Sequence, residues 1–480
     1  MTREIDPAIQ PKTLDILRKR FKPADVAIDS IDVLSNDERR NLLLRIHLKS
    51  SSDSVPRSVI LKQSLPSRGD VNNNNAIARF YRDWAGIEFA SKIQEGQSTQ
   101  YTPLFYASDM DLRFILIEDL GHPHVSLVES MAPAIPDRDK AISALERYMH
   151  ALGRFNADSF EKTDRYETIL KTIDNQAASA QEDLDSLSEH LLPLVWSNAE
   201  TLGLSVTKDL KEEAQQVLNS IFTGPFTVLA HGDIALDNVF DHEEPRGLKL
   251  IDFELSSPRS ALLDGVYLRM SMPTGWFAKR IPEAVLKPLE LIYQAELQKR
   301  IPLASNELAY STAYTHACAY YILHEMSVLN RILEKDDPRS SSSDPVPKDS
   351  LWEPATNTAR PRLLTRLQTF IDVVTQHDRL HTNQLPILPN LKIMAEAMLE
   401  KVQRLWPDAK PLGFFPAFNQ DSLGLSQSPP QESQSSTSQA FKTTLSEMRN
   451  NDVQSVDDST KELSTNTAPT PFSIKPKTID

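Results

Sequence analysis

The residues best suited to chemistry lie in two short segments near the middle of the chain. The first contains Gly232, Asp233 and Asn238, and the second, after a turn, contains Asp252. Because a glycine lets the backbone turn tightly after a strand, Asp233 is predicted to stand in a loop and Asn238 to return to the same side. A hairpin then brings Asp252 back beside them.

These side chains fit one kind of reaction. An asparagine carbonyl and a carboxylate are suitable ligands for Mg²⁺, which keeps water and phosphate oxygens as its other ligands. The remaining carboxylate can accept a proton from an incoming hydroxyl group or orient it. Phosphoryl transfer needs metal-neutralised phosphates, an in-line acceptor and a carboxylate beside that acceptor. The pattern therefore predicts a phosphotransferase site.

The elements before this loop are predicted to be mixed. Residues 41–48 alternate partly at period two, and the β-rich run 58–62 ends on Lys62, so a hairpin is expected. An apolar stripe predicts a helix over 75–93, and residues 114–117 have the pattern of a buried strand. Short strands are also expected to lead into the loop and into Asp252.

From about residue 136 the chain is mainly helical by its periodicity. The predicted helices are 137–158, 176–202, 207–222, 283–300, 306–334, 361–377 and 390–405. Residues 336–350 and about 419–480 have few large apolar side chains, so no fold is expected there.

Composition excludes several classes of protein. The 480 residues carry a formal net charge of −14, which argues against sequence-independent binding of nucleic acid. The single cysteine, Cys318, excludes an internal disulfide and a multi-cysteine zinc site. The N-terminal residues have no apolar signal core, and no stretch has the length of a membrane helix. A cytoplasmic, soluble protein without a membrane partner is therefore expected.

The loop also carries a family resemblance. His231-Gly232-Asp233, Asn238 and the following Ile-Asp-Phe-Glu together resemble the aminoglycoside phosphotransferase and choline kinase family. Protein kinases usually have an arginine in place of Gly232 and an Asp-Phe-Gly in place of Asp252-Phe253-Glu254. The resemblance implies an α+β, two-lobed protein-kinase-like fold. Residues 1–120 would form a small mixed N-lobe, 121–415 a larger, mainly helical C-lobe, and 416–480 a disordered Ser/Gln/Thr-rich tail.

The resemblance assigns roles to the central residues. It implies that Asp233 is the catalytic aspartate and that Asn238 and Asp252 hold Mg²⁺. Lys62 falls where the family has its phosphate-binding lysine, and Asp83 would be its partner. The cofactors implied are ATP, or possibly GTP, and Mg²⁺.

Further residues are assigned by the same resemblance. Ser35 and Asn36 match the family's Ser-Asn pair beside the phosphates. The segment Glu118 to Leu120 resembles the hinge whose backbone receives the adenine. His231 and Asp264 are expected to be structural.

The sequence also departs from the family in three places. No glycine occurs in residues 31–40, where the phosphate-covering loop is often glycine-rich. The helix acid is Asp83 where glutamate is usual, so its pairing with Lys62 is expected to require a small shift of the helix. Phe155-Asn156 stands where the family often has Leu-His.

The expected function is that of a kinase acting on a hydroxyl group of an aminoglycoside-, choline- or sugar-like small molecule. Aromatic or acidic side chains of the C-terminal helices are candidates for the acceptor site: Trp276, Tyr310, Tyr314, Tyr320, Glu325 and Trp352. A kinase-like pseudo-enzyme or nucleotide-binding scaffold is the alternative, motivated by the missing glycines and the polar tail. A protein kinase is the third possibility. The sequence leaves the oligomeric state open.

Overall fold

A computed structural model describes residues 5–35, 41–65, 74–121, 125–133, 135–242, 247–275, 277–337 and 357–419. Its N-terminal part is an antiparallel sheet with two helices, and its C-terminal part is mainly helical. The fold class is therefore the mixed α+β, kinase-like arrangement that the sequence predicts.

The N-terminal sheet has five strands in the order β1-β2-β3-β5-β4. The strands and helices of this part are α1 (Ile9–Arg20), β1 (Ala27–Val33), β2 (Asn41–Lys49), β3 (Ser58–Ser64), α2 (Asn74–Ile93), β4 (Phe105–Asp109) and β5 (Phe114–Glu118). Successive side chains of a strand point to opposite faces of the sheet. Leu61 therefore packs into the core beneath the sheet together with α1, whereas Lys62 faces the opposite way.

The sheet and the helical part have separate hydrophobic cores. The smaller core joins one face of the sheet to α1, for example through Leu44 and Leu17. Helix α2 contributes Phe80 and Phe89 to the larger core, which it shares with the C-terminal helices. Helix α2 thus links the sheet that carries Lys62 to the part that carries the loop.

The C-terminal part contains helices joined by short strands. In chain order they are β6 (Val125–Ser126), α3 (Leu127–Met131), α4 (Arg138–Ser159), α5 (Thr163–Ile173), α6 (Ala180–Thr201), α7 (Lys208–Phe222), β7 (Thr227–Ala230), β8 (Val239–Asp241), β9 (Leu248–Leu250), β10 (Ser257–Ser260), α8 (Ala261–Gly265), α9 (Glu283–Gln298), α10 (Glu307–Ser327), α11 (Leu329–Glu334), α12 (Ala359–Leu380) and α13 (Pro389–Leu405). None of the helices in the described ranges is both long and apolar enough to cross a membrane.

Most predicted elements are confirmed with small differences at their ends. The predicted hairpin is β2–β3, which pair antiparallel with Leu44 opposite Leu61. The predicted helix 306–334 is wrong as a single element, because it breaks at Val328 into α10 and α11. Helices α1, α3, α5 and α8 were not predicted. The tail from residue 420 onward and residues 338–356 lie outside the described residues.

Candidate active site

The central loop begins where strand β7 ends. Gly232 has a φ of +80°, and a Cβ atom there would lie 2.3 Å from Arg259 Nη2 and 2.4 Å from the Leu255 carbonyl oxygen. Only glycine fits this backbone conformation and this space without strain. The chain can therefore turn sharply and present Asp233 directly after the strand.

A buried aspartate anchors the loop from below. The Asp264 carboxylate accepts hydrogen bonds from His231 N at 2.8 Å, from Gly232 N at 3.1 Å and from Asn156 Nδ2 at 3.1 Å. Asn156 is held in turn by the hydroxyl of Tyr293, which donates to its Oδ1 atom at 2.7 Å. Asp264 thus fixes the backbone immediately before Asp233, and Asn156 belongs to that support.

Asn238 returns to the same side of the loop as Asp233. Its Nδ2 atom donates to the Asp233 carbonyl oxygen at 2.8 Å. The Asn238 carbonyl then accepts a hydrogen bond from Ile251 N at 3.0 Å, and strands β8 and β9 pair beside it. The hairpin therefore delivers Asp252, which follows Ile251, next to the other two side chains.

Lys62 joins the sheet, helix α2 and the hairpin at one point. Its Nζ atom lies 2.7 Å from Asp83 Oδ2 and 2.6 Å from Asp252 Oδ1. The other carboxylate oxygen of Asp83 accepts a hydrogen bond from Phe253 N at 2.9 Å. Asp252 itself has a left-handed backbone, with a φ of +69°. We name Lys62, Asp83 and Asp252 the lysine cluster.

Burial dominates the electrostatics of these groups. It raises the pKa of Asp233 to about 7, although a hydrogen bond from Thr274 acts in the opposite direction. It also raises the pKa of Asp83 to about 6, although Lys62 opposes that shift. Burial acts to lower the pKa of Lys62, but the carboxylates of Asp252 and Asp83 raise it above its ordinary value. The two carboxylates therefore favour the charged form of Lys62.

The remaining predicted residues lie along the sheet. The Ser35 hydroxyl accepts a hydrogen bond from Leu43 N at 3.1 Å, and Leu43 pairs with Lys62 in the next strand. Ser35, which follows the end of β1, is therefore bonded to the β2 residue that pairs with Lys62. Its neighbour Asn36 lies outside the described residues.

The predicted hinge follows strand β5. Glu118 Oε2 accepts a hydrogen bond from Leu104 N at 3.1 Å, and Leu120 is half-buried. Between them, Asp119 accepts hydrogen bonds from Arg45 Nε at 2.7 Å and from Ser58 Oγ at 2.6 Å. Asp119 thereby ties the segment after β5 to strands β2 and β3, which the sequence alone did not indicate.

The donor atoms around Asp233 suit a hard cation. Because the amide nitrogen of Asn238 bonds to the loop backbone, its Oδ1 atom is the one that would serve a metal, together with Asp252. In the described part of the chain, no group of three or more His, Cys, Asp or Glu side chains is placed to hold a metal alone. Mg²⁺ is commonly held by one or two protein oxygens plus phosphate and water, so this donor set fits it.

Sequence reasoning missed two residues beside the site. Thr274 Oγ1 donates to Asp233 Oδ1 at 2.5 Å, and the Tyr267 hydroxyl lies 2.7 Å from Thr274 Oγ1. Thr274 is 41 residues from Asp233 in sequence and belongs to no motif, so no local signal could have found it.

The proposed acceptor residues that the structure describes are engaged in packing or ion pairing. Tyr310 and Tyr320 pack against Phe226 and Phe222, and Tyr314 donates to Glu290 at 2.5 Å. Trp276 and Trp352 lie outside the described residues. Glu325 forms an ion pair with Arg366 of α12. The contacts of the four described side chains therefore identify none of them as an acceptor-binding residue.

Solved structures of low sequence identity cover most of the chain. Choline kinase from Cryptosporidium parvum is 10% identical, covering 79% of this chain and 99% of its own, with a TM-score of 0.39. Amicoumacin kinase in complex with AMP-PNP, Ca²⁺ and its antibiotic is 14% identical, covering 80% and 96%, with a TM-score of 0.38. Ethanolamine kinase from Plasmodium vivax is 10% identical, covering 75% and 84%, with a TM-score of 0.36. No curated protein matches the chain significantly.

The mixed fold, the loop around Asp233 and the lysine cluster define the class of fold: the chain has a protein-kinase-like fold. Within that class, residues 42–280 match the model of the Ecdysteroid kinase-like family. The matched segment begins in strand β2 and ends before helix α9, so it includes Lys62, Asp83, Asp233, Asn238 and Asp252.

Proposed function

We propose that this chain is a small-molecule kinase that transfers the γ-phosphoryl group of ATP to a hydroxyl group of a small acceptor. The observation that carries the proposal is the position of Lys62 Nζ, within 2.7 Å of both Asp83 and Asp252. Protein kinases use a strand lysine paired with a helix acid, together with an aspartate that holds Mg²⁺, and Lys62 lies between two acids in the corresponding positions.

Each residue has a part in the proposed reaction. Lys62 would bind the phosphates, held in place by Asp83 on α2. Asn238 and Asp252 would hold Mg²⁺, which neutralises phosphate charge when bound. Ser35 and Asn36 would lie beside the phosphates, and the backbone between Glu118 and Leu120 would receive the adenine.

Asp233 is the proposed proton acceptor. The acceptor oxygen would bond to the γ-phosphorus while its proton passes to the Asp233 carboxylate. The bond between that phosphorus and the bridging oxygen breaks, and ADP leaves with the electron pair. Because burial raises the pKa of Asp233 to about 7, this carboxylate can take up a proton near neutral pH.

For the acceptor, we propose a chemical class and no particular compound. The name of the matched family adds ecdysteroids to the aminoglycosides, choline-like amino alcohols and sugars that the sequence suggests. All carry hydroxyl groups, and the fold does not select among them. The preference for ATP over GTP and a cytoplasmic location also stay predictions.

The first test is ADP release from ATP with Mg²⁺ and a pool of these acceptors. Wild type should show release that the pool stimulates and that EDTA abolishes. Asp233→Asn should lower the rate by about 10²-fold or more, since it removes the proton acceptor. A matched control is Asp185→Asn, which removes an exposed carboxylate on α6 whose partner is Gln181.

The outcomes separate the enzyme from the scaffold. Pool-stimulated release by wild type and by Asp185→Asn, but not by Asp233→Asn, supports the proposal, and subdividing the pool then identifies the acceptor. Nucleotide binding without any release, with ATP or GTP, would favour the pseudo-enzyme. Phosphate incorporated into a polypeptide in place of any pool member would favour a protein kinase.

A further inference from the structure

A directed series of hydrogen bonds ends on the carboxylate of Asp233. Thr274 Oγ1 donates to Asp233 Oδ1, and the Tyr267 hydroxyl is 2.7 Å from the same Thr274 oxygen. A threonine hydroxyl has a single hydrogen, so Tyr267 must be the donor to Thr274. Tyr267 is fully buried, and the series therefore starts in the rigid core. Because this series fixes one carboxylate oxygen of Asp233, it also determines where the other oxygen points.

The segment before Thr274 is held in a strained conformation. Ser271 has a φ of 54° and Met272 a φ of 51°, and neither residue is a glycine. Consecutive left-handed residues with side chains persist only where the surrounding structure determines them. The position of Thr274 therefore needs support from outside its own loop.

Arg366 of helix α12 supplies that support. Its guanidinium group donates to the carbonyl oxygens of Met270 at 3.0 Å, Ser271 at 3.2 Å and Met272 at 3.1 Å, and it forms an ion pair with Glu325. The side chain is 2% exposed. A planar guanidinium with five N–H groups can serve several carbonyls at once, which an ammonium group on a flexible chain cannot do in the same geometry.

A second arginine of the same helix reaches the other end of the loop. Arg362 is one turn before Arg366 and donates to the Gly275 carbonyl oxygen at 3.3 Å. The two arginines thus bracket Thr274 on both sides. Helix α12 begins at Ala359, well after the end of the family match at residue 280.

We propose that Thr274 is a positioning residue for Asp233 and that Arg366 clamps the loop 270–275 that carries it. Turnover then depends on helix α12, which contains none of the motif residues. The kinetic part of this inference rests on the proposed function, whereas the clamp is a property of the fold that can be measured without turnover.

The kinetic test compares Thr274→Val with Thr274→Ser. Valine keeps the shape and removes the hydroxyl, so kcat should fall about tenfold to a hundredfold, as misplaced catalytic groups do, while the KM for the nucleotide stays within about twofold. Serine restores the hydroxyl and should restore most of kcat. Thr369→Val, which removes a hydroxyl donating only to a helix carbonyl of α12, is the control and should match wild type.

Three results would overturn the role of Thr274. The first is an unchanged kcat in Thr274→Val. The second is a serine variant as slow as the valine variant, which would indicate a packing effect. The third is a loss that appears in the KM for the nucleotide, which would indicate a binding effect.

The clamp is tested by hydrogen exchange of the peptide spanning 266–275. Arg366→Lys should accelerate its exchange at least about tenfold, because the fan of hydrogen bonds that holds the strained segment is lost. Arg360→Lys is the matched control: Arg360 lies on the same helix and donates to the carbonyls of Leu333 and Ile332, away from the loop. It should leave this peptide unchanged.

If Arg366→Lys does not fold, Glu325→Gln weakens the ion pair that orients the guanidinium and should accelerate the same peptide to a smaller extent. Unchanged exchange in a folded Arg366→Lys or, failing that, in Glu325→Gln would refute the clamp. A wild type without phosphotransfer would refute the proposed function and the kinetic role of Thr274, yet the exchange result would still decide the clamp.

Discussion

Replacing Asp264 by asparagine tests how the loop that carries Asp233 is held. Three donors converge on the Asp264 carboxylate: His231 N at 2.8 Å, Gly232 N at 3.1 Å and Asn156 Nδ2 at 3.1 Å. Asparagine has nearly the same shape, but one of its two terminal atoms is itself a donor. In either orientation of the amide, an NH₂ group would face at least one buried N–H group.

The cost of this change follows from the three contacts. A hydrogen bond to a charged group contributes about 1.5–3 kcal/mol, and a buried donor without a partner costs about 1–3 kcal/mol. Some relaxation of the loop will recover part of the sum, so the free energy of unfolding should fall by about 3 kcal/mol. The same relaxation moves the backbone next to Asp233, and kcat should fall about tenfold or more.

The assay is urea unfolding followed by circular dichroism, together with turnover under saturating nucleotide. Asp185→Asn makes the same chemical change at an exposed site of α6 and should stay within about 0.5 kcal/mol of wild type. An Asp264→Asn protein with wild-type stability and wild-type kcat would refute the idea that this carboxylate holds the loop through three donors.

Three further predictions concern the turn, the hinge and the lysine cluster. Gly232→Ala should lower the free energy of unfolding clearly more than Gly96→Ala, because its Cβ would meet an arginine nitrogen and a backbone oxygen in addition to the strain of a positive φ. Gly96→Ala, with a φ of +78° and open space around its Cβ, should lose only about 1–2 kcal/mol through backbone strain. Equal shifts in melting temperature would contradict this. Burial acts to raise the pKa of Asp119, but its hydrogen bonds lower it below its ordinary value, so Asp119 stabilises the fold at neutral pH and this contribution is lost as pH falls through the lowered pKa. The stability gap between wild type and Asp119→Asn should therefore narrow below about pH 4, and a constant gap from pH 7 to pH 3 would be inconsistent with that. Lys62→Met should lower the free energy of unfolding by about 3–5 kcal/mol and weaken nucleotide binding, because it leaves two carboxylates unpaired. The loss of stability should be larger at pH 8 than at pH 5, where these carboxylates can bind protons. Lys49→Met, at an exposed site, is the control, and a stability loss independent of pH would count against the pairing.

The parts of the site that the sequence predicted are those governed by local spacing. Asp233 and Asn238 are five residues apart, so one loop brings them together. Asp252 follows because a hairpin is a short-range element with its own turn signal. The pairing of Lys62 with Asp83 was expected from family resemblance, and the two side chains do meet, whereas their roles in binding a nucleotide stay predictions.

The supports of the site could not be predicted, because they depend on contacts between distant segments. Arg366 bonds to carbonyl oxygens about 95 residues earlier in the chain, and carbonyls carry no sequence signal. Asn156 was noted as a departure from the family, but its bonds to Asp264 and to the Leu229 carbonyl depend on how α4 packs against β7. Tertiary packing, which no short window of sequence contains, decides these positions.

One departure from the family has a structural explanation in a neighbouring glycine. Asp83 is a methylene shorter than the usual glutamate, yet its Oδ2 atom lies 2.7 Å from Lys62 Nζ while Oδ1 accepts a bond from Phe253 N at 2.9 Å. Gly86, one helical turn further along α2, faces the same segment, and a Cβ atom there would lie 2.5 Å from Phe253 Cβ and 2.6 Å from Ser256 Oγ. Helix α2 can therefore approach residues 253–256 closely only because residue 86 has no side chain. This close approach lets the shorter side chain of Asp83 reach both Lys62 and Phe253. The aspartate at position 83 therefore depends on the glycine at position 86.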